Sequence, residues 1–212
     1  MAKKLEVRKI VKWLKQWIEK HPYYVVVASV LLLFFLFRKK LGIMLVNASR
    51  KPSAGAADYI INNEGFDAKA VRNSYDPAGV YTIGYGTIKY KNGKAVKLGD
   101  TITKAQALDE LLFEMQEKSK LLNVYLLDVP LSQNRYDVLV DMAYNMGAGI
   151  FAPTKGIAKM LRNNPNDPKL YEYDKNKPAL SCKIMEFVYS DGKIVQGLIN
   201  RRVRNCDKWK KG

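Results

Sequence analysis

The feature that most constrains the fold of this chain is an uncharged apolar run near its N-terminus. It covers residues 23–37 and reads YYVVVASVLLLFFLF. As a helix this run spans roughly 22 Å, which is less than the ~30 Å hydrocarbon core of a bilayer. The flanking Lys20 and residues 38–40 (RKK) have long side chains that can reach the interface and let a short segment span. We therefore predict a transmembrane or anchor segment over residues 22–46, with a buried core helix and a cleaved signal peptide as alternatives.

The residues before this run predict a second element that suits a membrane surface. Apolar side chains recur at helical spacing over residues 3–20, and lysines are interleaved with them. Trp13 and Trp17 belong to a residue type that is enriched at the level of lipid headgroups. We predict a basic amphipathic helix over residues 1–21, and the alternative is the cationic face of an ordinary surface helix.

The composition excludes several classes of chemistry. The single histidine, His21, precedes the apolar run, so the rest of the chain can hold neither a Ser-His-Asp triad nor a histidine-ligated zinc. Two cysteines are too few for a disulfide framework or a four-cysteine metal site. The net charge of +16 has two interpretations: a solvated surface that aids solubility, or a polyanionic partner such as nucleic acid, an anionic membrane leaflet or the cell wall. Because no histidine follows His21, acid–base chemistry in the rest of the chain must depend mainly on carboxylates, lysine or tyrosine.

The chain after the apolar segment predicts one globular domain. Small and polar residues predict a linker over residues 47–53, and the domain is expected over residues 54–212. Its elements are predicted in the order helix, small antiparallel sheet and a run of helices, which is an α+β architecture with two lobes. The predicted elements are a helix from Ser53 to Glu64, a small sheet within residues 74–98, a long helix opened by Thr103, a central buried helix between Ser132 and Gly147, and shorter helices near 154–163, 179–190 and 197–209.

Two carboxylates in the segment 64–87 are expected in different surroundings. Glu64 should end a helix, where the partial negative charge of the helix dipole disfavours ionisation. Asp76 lies in an Asp-Pro-Ala-Gly turn, where it should be exposed and ionised, and a strand with Thr82 follows. An acid that keeps its proton beside an anion is the pair that glycosidases use. Either residue alone is also explained as a solvated helix end or a turn former.

The same segment resembles the active-site signature of the phage-type lysozymes of glycoside hydrolase family 24. The family pattern of Glu-Gly, then Asp, then Thr-Ile-Gly-x-Gly is matched by Glu64-Gly65, Asp76 and Thr82–Gly86. This chain departs from the pattern in two ways. Eleven residues separate Glu64 from Asp76 where the family usually has eight, with the extra residues around positions 70–73, and Thr87 stands where a histidine usually follows.

Downstream segments extend the resemblance over about residues 54–209, in family order. They are VPLSQNRYD at 129–137, NMG at 145–147 and GLINRR at 197–202. The resemblance implies a lysozyme-like fold and a muramidase that cleaves the β-1,4 bond between N-acetylmuramic acid and N-acetylglucosamine. It further implies that Glu64 is the general acid and that Asp76 and Thr82 hold the attacking water. Residues implied to bind the substrate are Tyr144, Thr154 and Arg201, of which Arg201 matches a position near the catalytic glutamate. The alternative for Arg201 is a surface ion pair.

The expected partners are peptidoglycan glycan strands and, through residues 1–46, a bacterial membrane. No cofactor, metal or nucleic acid is expected. The catalytic domain should face the cell wall from the host inner membrane or periplasm, or belong to a virion, and act in phage lysis or entry. The alternatives are a related chitinase or chitosanase, an inactive wall-binding module, and a protein whose N-terminal segment disrupts membranes.

Overall fold

The computed structural model of the chain describes residues 2–72 and 79–212. These residues form two compact units, which divide between Ile43 and Met44. The turn predicted around Asp76 lies outside the described residues, apart from Gly79 at its end.

The N-terminal unit contains helix α1, Ala2–Lys20, and most of helix α2, Pro22–Ala48. His21 separates the two helices because Pro22 lacks a backbone N–H and disfavours helical geometry in the residue before it. Segments Ile10–Lys20 and Pro22–Phe35 meet at a bend of 102°. Within the described residues, only this bent pair taken together, and no single helix, has the length and apolar content to cross a bilayer.

The second unit contains the remaining helices and strands. They are α3 (Ala54–Glu64), β1 (Asp67–Val71), β2 (Thr82–Gly84), α4 (Lys104–Tyr125), α5 (Gln133–Met146), α6 (Gly156–Asn163), α7 (Pro168–Tyr171), β3 (Tyr189–Ser190), β4 (Lys193–Ile194) and α8 (Gln196–Lys210), with 3-10 turns at Ala148–Phe151 and Ile184–Glu186. Helices combined with small antiparallel sheets confirm the predicted α+β class.

The helix boundaries that matter for function follow local sequence signals. Helix α3 ends at Glu64, and Gly65 leaves the helix with φ of +74°, a conformation that favours glycine. Ser53 lies at the N-cap, but its hydroxyl donates to Asp137 at 2.6 Å and does not cap the helix. Ser132 caps α5 by accepting from the backbone N–H of Arg135.

Helix α5 runs through the core of the second unit, as predicted. Nine consecutive residues, from Arg135 to Ala143, are buried. They pack mainly against α3, α4 and α8. A helix that is buried on all sides must be surrounded by other elements. Helix α5 therefore fixes the positions of the helices that carry the site residues.

The smaller lobe is built on the antiparallel pair of β1 and β2. Asp67 pairs with Gly84 and Val71 with Thr82, with an irregularity in register between them. A separate apolar cluster of Ala70, Ile83 and Val96 lies beneath this pair. Thr82 begins β2, as the predicted strand requires. Strand β1 was not predicted, since it lies before the sheet expected within residues 74–98, and only Ala70 among its five residues is buried.

The helix predicted near residues 179–190 is wrong. This segment holds only the short 3-10 turn and then strand β3, which pairs with β4. Asp191 and Gly192 join the two strands with φ of +48° and +73°, as a two-residue hairpin turn with an Asp-Gly sequence requires. The preceding segment approaches α8 at Cys182 and Cys206, which are buried free thiols with Sγ atoms 3.8 Å apart.

The end of α2 is part of the second unit, and Asn47 packs it against the end of α4. The buried side-chain amide donates to the carbonyls of Leu126 at 3.1 Å, Leu127 at 3.0 Å and Val129 at 2.7 Å. These carbonyls lie where α4 ends, and helix ends leave carbonyls without partners inside the helix. The first residue of the predicted linker is therefore packed against the globular unit.

We expect Asn47→Ala to lower the free energy of unfolding by about 1–3 kcal/mol, because buried carbonyls lose their donor. Chemical denaturation followed by circular dichroism measures this difference. Ser49→Ala is the matched control, since Ser49 follows α2 and its exposed hydroxyl donates to the carbonyls of Leu45 and Val46 in the last turn of that helix. It should change stability by less than about 0.5 kcal/mol. Equal stability of the two variants would contradict the packing role of Asn47.

Candidate active site

A cleft with a volume of about 700 Å³ opens in the second unit between the smaller lobe, which contains β2, and the helices. Its walls come from the end of α3, from β2 and the turn after it, from the end of α5, and from the segment 186–204 that includes β3 and the start of α8. Elements far apart in sequence therefore meet around one space, as expected of a ligand site.

Four of the predicted site residues line this cleft together. They are Glu64, Thr82, Tyr144 and Arg201. Thr154 is not among the lining residues and lies in the turn before α6, where it is exposed. Asp76 lies outside the described residues. The prediction that Asp76 and Thr154 act at the cleft is therefore not tested by this geometry.

Glu64 is the last residue of α3, and its side chain is 21 % exposed to the cleft. The turn after β2 comes close to it at Gly86, which has φ of +98°. A Cβ atom on Gly86 would lie 3.5 Å from Glu64 Oε2 and 3.7 Å from the Tyr144 ring. A glycine at this position therefore brings the backbone of the smaller lobe next to the carboxylate.

Arg201 of α8 holds the other oxygen of Glu64. Its Nη1 donates to Glu64 Oε1 at 2.5 Å. The rest of the guanidinium donates to Asp141 of α5, from Nε at 3.2 Å and from Nη2 at 2.7 Å. Burial opposes the charge of Arg201, but the charges of Asp141 and Glu64 outweigh this effect and raise the pKa of Arg201. The guanidinium is thus a permanent cation between two carboxylates.

A second arginine lies beside this pair. The buried Arg202 approaches Asp141 at 3.8 Å and donates to Asn145 and to the Phe187 carbonyl. Burial lowers the pKa of Arg202 to about 10, and the charge of Asp141 acts in the opposite direction. These contacts join α8 to α5 and to the segment that forms one wall of the cleft.

Tyr144 donates its hydroxyl to the carbonyl of Tyr85 at 2.8 Å, so it connects the central helix to the smaller lobe. Burial first, and then the charges of Glu114 and Glu64, raise the pKa of Tyr144. The phenol therefore stays protonated and serves as a hydrogen-bond donor, not as a base.

Several residues of the site were not predicted from the sequence. The amide of Asn63 and the carboxylate of Asp141 belong to the network around Arg201, and Phe187 and Tyr189 form part of a cleft wall. A signal for Asp141 was available, because it is a carboxylate within an otherwise apolar stretch of the central helix. No local signal marks Phe187 or Tyr189.

Comparison with known proteins places this geometry in a family. The family described as phage lysozyme matches residues 62–205. The endolysin of Bacillus phage PZA is 34% identical over 126 residues, which are 58% of this chain and 42% of that protein. The SAR-endolysin of Haemophilus phage HP1 is 29% identical over 182 residues, which are 84% of this chain and 89% of that protein.

A solved structure agrees with the sequence relatives. The endolysin from Escherichia coli O157:H7 phage FAHEc1 matches with a TM-score of 0.58 at 29% identity, over 76% of this chain and 94% of that one. The predicted lysozyme-like fold is therefore confirmed, with its helices and small antiparallel sheet. Since the family match includes Glu64, Thr82, Tyr144 and Arg201 and extends over more than half of the sequence, the chain belongs to the phage lysozyme family.

Proposed function

We propose that this protein is a peptidoglycan-hydrolysing muramidase of glycoside hydrolase family 24. The observation that carries the proposal is the position of Glu64, which ends a helix at a cleft lined also by Thr82. A partly exposed carboxylate and a hydroxyl in the same cleft supply a proton donor and a group that can bind water. The membership in the phage lysozyme family supports the same reaction.

In the proposed reaction Glu64 starts as the carboxylic acid and donates its proton to the glycosidic oxygen between N-acetylmuramic acid and N-acetylglucosamine. The bond from the anomeric carbon to that oxygen breaks, water adds to the carbon and gives up one proton to the Asp76 carboxylate, and exchange with solvent returns a proton to Glu64. We assign Asp76 and Thr82 to hold and orient this water, and Tyr144, Thr154 and Arg201 to contact the saccharide. The proposal requires no cofactor, metal ion or nucleic acid.

Digestion of purified peptidoglycan tests this assignment. We expect new reducing ends on N-acetylmuramic acid, identified by borohydride reduction and mass spectrometry of the fragments. Faster cleavage of chitin or chitosan under the same conditions would support a related glycosidase with another substrate. Binding to peptidoglycan without new reducing ends would indicate an inactive wall-binding module.

We also propose that residues 1–46 attach the protein to a membrane, with the catalytic domain of residues 54–212 on the side of the cell wall and residues 47–53 as the connection. Apolar side chains of α2 support this, since Val26, Leu33 and Phe34 are all more than half exposed. The alignment with the HP1 SAR-endolysin covers more of the chain than residues 44–212 alone could supply. The proposed location is the inner membrane and periplasm of the host.

Leu33→Asp tests the attachment, because a carboxylate within a membrane helix costs about 2.5–3.5 kcal/mol. We expect most of the variant to move from the membrane pellet to the supernatant after cell lysis. Val124→Asp is the matched control, since it places the same charge at an exposed apolar residue of the second unit and should leave the distribution unchanged. Protease digestion of the catalytic domain in intact spheroplasts tests its orientation.

A further inference from the structure

Asp141 is buried beneath the cleft and is not needed for proton donation itself. It is 0% exposed and accepts four hydrogen bonds. Two come from Arg201, as described above. The others come from Asn205 Nδ2 at 2.9 Å and Asn63 Nδ2 at 3.3 Å. Burial of a carboxylate costs several kcal/mol unless it is paired in this way. A buried carboxylate next to the cleft therefore suggests a role in the function of the site.

Two of the partners of Asp141 connect it to Glu64. Arg201 reaches Asp141 with two nitrogens and Glu64 with the third. Asn63, which precedes Glu64 in α3, donates to Asp141 and accepts from Arg204 at 2.8 Å. Asp141 therefore fixes both the guanidinium that touches Glu64 and the residue adjacent to Glu64 in the chain.

The charges of this cluster create a conflict for a general acid. A cation that contacts Glu64 binds its carboxylate more strongly than its acid form. An arginine held only by Glu64 would thus oppose the protonated state from which the reaction begins. It would also lose its partner each time Glu64 took up a proton. A second carboxylate that is hydrogen-bonded to Arg201 removes both difficulties. Asp141 is placed to be that carboxylate.

We propose that Asp141 is a positioning residue: it holds the Arg201 guanidinium and offsets its charge, so that Glu64 can take up the proton that it donates to the substrate. This proposal rests on the proposed function, in which Glu64 is the general acid. Asp141 itself lies beneath the cleft and touches no substrate. Its effect reaches the reaction only through Arg201 and the end of α3.

Other titratable and charged groups surround the cluster. They are Arg202 and Arg204 on α8, Tyr59 on α3, Tyr144 on α5 and Glu114 on α4. Burial, followed by the charge of Asp141, raises the pKa of Tyr59. The arginines and tyrosines keep their protons between about pH 4 and pH 9 by ordinary chemistry. A change of the pH profile in this range therefore reports on the carboxylates.

The test is the pH dependence of kcat/KM for peptidoglycan hydrolysis by the full chain and its Asp141→Asn variant. Asparagine keeps the shape but leaves the charge of Arg201 to Glu64. We expect the alkaline limb, where a general acid loses its proton, to move down by about one pH unit or more. Activity at the former midpoint of the limb should then fall about fivefold, and about tenfold at higher pH.

Asp137→Asn is the matched control. Asp137 lies one turn earlier on α5, is equally buried, and accepts from Ser53 and Gln133 away from the cleft. A purely structural loss should lower the folded fraction without moving the limb. An unmoved limb in the folded Asp141→Asn variant, or an equal shift in Asp137→Asn, would overturn the proposal.

The double variant D141N/R201M tests whether the effect passes through Arg201. It removes one buried charge of each sign, so the alkaline limb should return to the wild-type position or above it. If the alkaline limb of the double variant stays at the same pH as in Asp141→Asn, the effect of Asp141 on Glu64 does not pass through Arg201. Activity retained by Glu64→Gln would instead refute the general acid, whatever the Asp141 variants do.

A measurement on the unmodified protein covers the case in which Asp141→Asn does not fold. The side-chain Nε–H of Arg201 should give a sharp, slowly exchanging NMR signal that persists as the pH falls from about pH 8 to pH 4. The reason is that this N–H donates to Asp141 and not to Glu64. Loss of this signal as the pH falls through the alkaline limb would mean that Glu64, and not Asp141, holds the guanidinium.

Discussion

Replacement of Glu64 by glutamine is expected to abolish peptidoglycan hydrolysis while the fold stays intact. Removal of a general acid lowers the rate by a factor of about 10²–10⁴. The introduced amide would keep a carbonyl oxygen for the Arg201 Nη1–H, and the site is partly open to water. We therefore expect the loss in kcat with little change in the free energy of unfolding. Turnover of purified sacculi and chemical denaturation measure the two quantities.

Asp58→Asn is a suitable control for this experiment. Asp58 lies on the same helix, is exposed, and is not among the residues that line the cleft. The same chemical change there should leave the rate within about twofold, since surface substitutions away from a site have small effects. Near-native turnover by Glu64→Gln would remove Glu64 from its proposed role and leave the cleft without an assigned acid.

The sequence predicts the position of Glu64 well because its determinants are local. A glycine directly after Glu64 ends the helix, and the Thr-Ile-Gly-x-Gly motif brings Thr82 and Gly86 to the opposite wall. Tyr144 and Arg201 were assigned from the family resemblance and do line the same cleft. Nothing within α5 or α8 alone shows that they meet there, because their approach depends on how the two helices pack.

Asp141 shows why the rest of the site was missed. Its hydrogen bonds join it to residues 60 to 78 positions away, so only the packing of α3 and α8 against α5 reveals its partners. Strand β1 was missed for a related reason, since it pairs with β2 although its five residues include only one β-branched side chain, Val71. The hairpin of β3 and β4 is different, because its Asp191-Gly192 turn was a local signal that helical spacing of apolar residues obscured.

Replacement of Arg201 by methionine should cause the largest loss of stability among single substitutions in the cluster. Methionine fills much of the space but leaves Asp141 without its two-pronged partner in a fully buried position. Removal of one member of a buried ion pair typically costs about 3–5 kcal/mol because the remaining charge is uncompensated. Such a loss lowers the ratio of folded to unfolded protein by a factor of about 10²–10³ or more, measurable by chemical denaturation.

Two further variants separate the charge effect from lost packing. Arg204→Met removes an exposed arginine from the same helix. Its described hydrogen bonds go to Asn63 Oδ1, and its loss should cost less than about 1 kcal/mol. Because D141N/R201M removes the uncompensated carboxylate together with its partner, it should be more stable than Arg201→Met alone. If the double variant is less stable than Arg201→Met, the loss comes from packing of the arginine stem, and Asp141 carries no buried charge that Arg201 must offset.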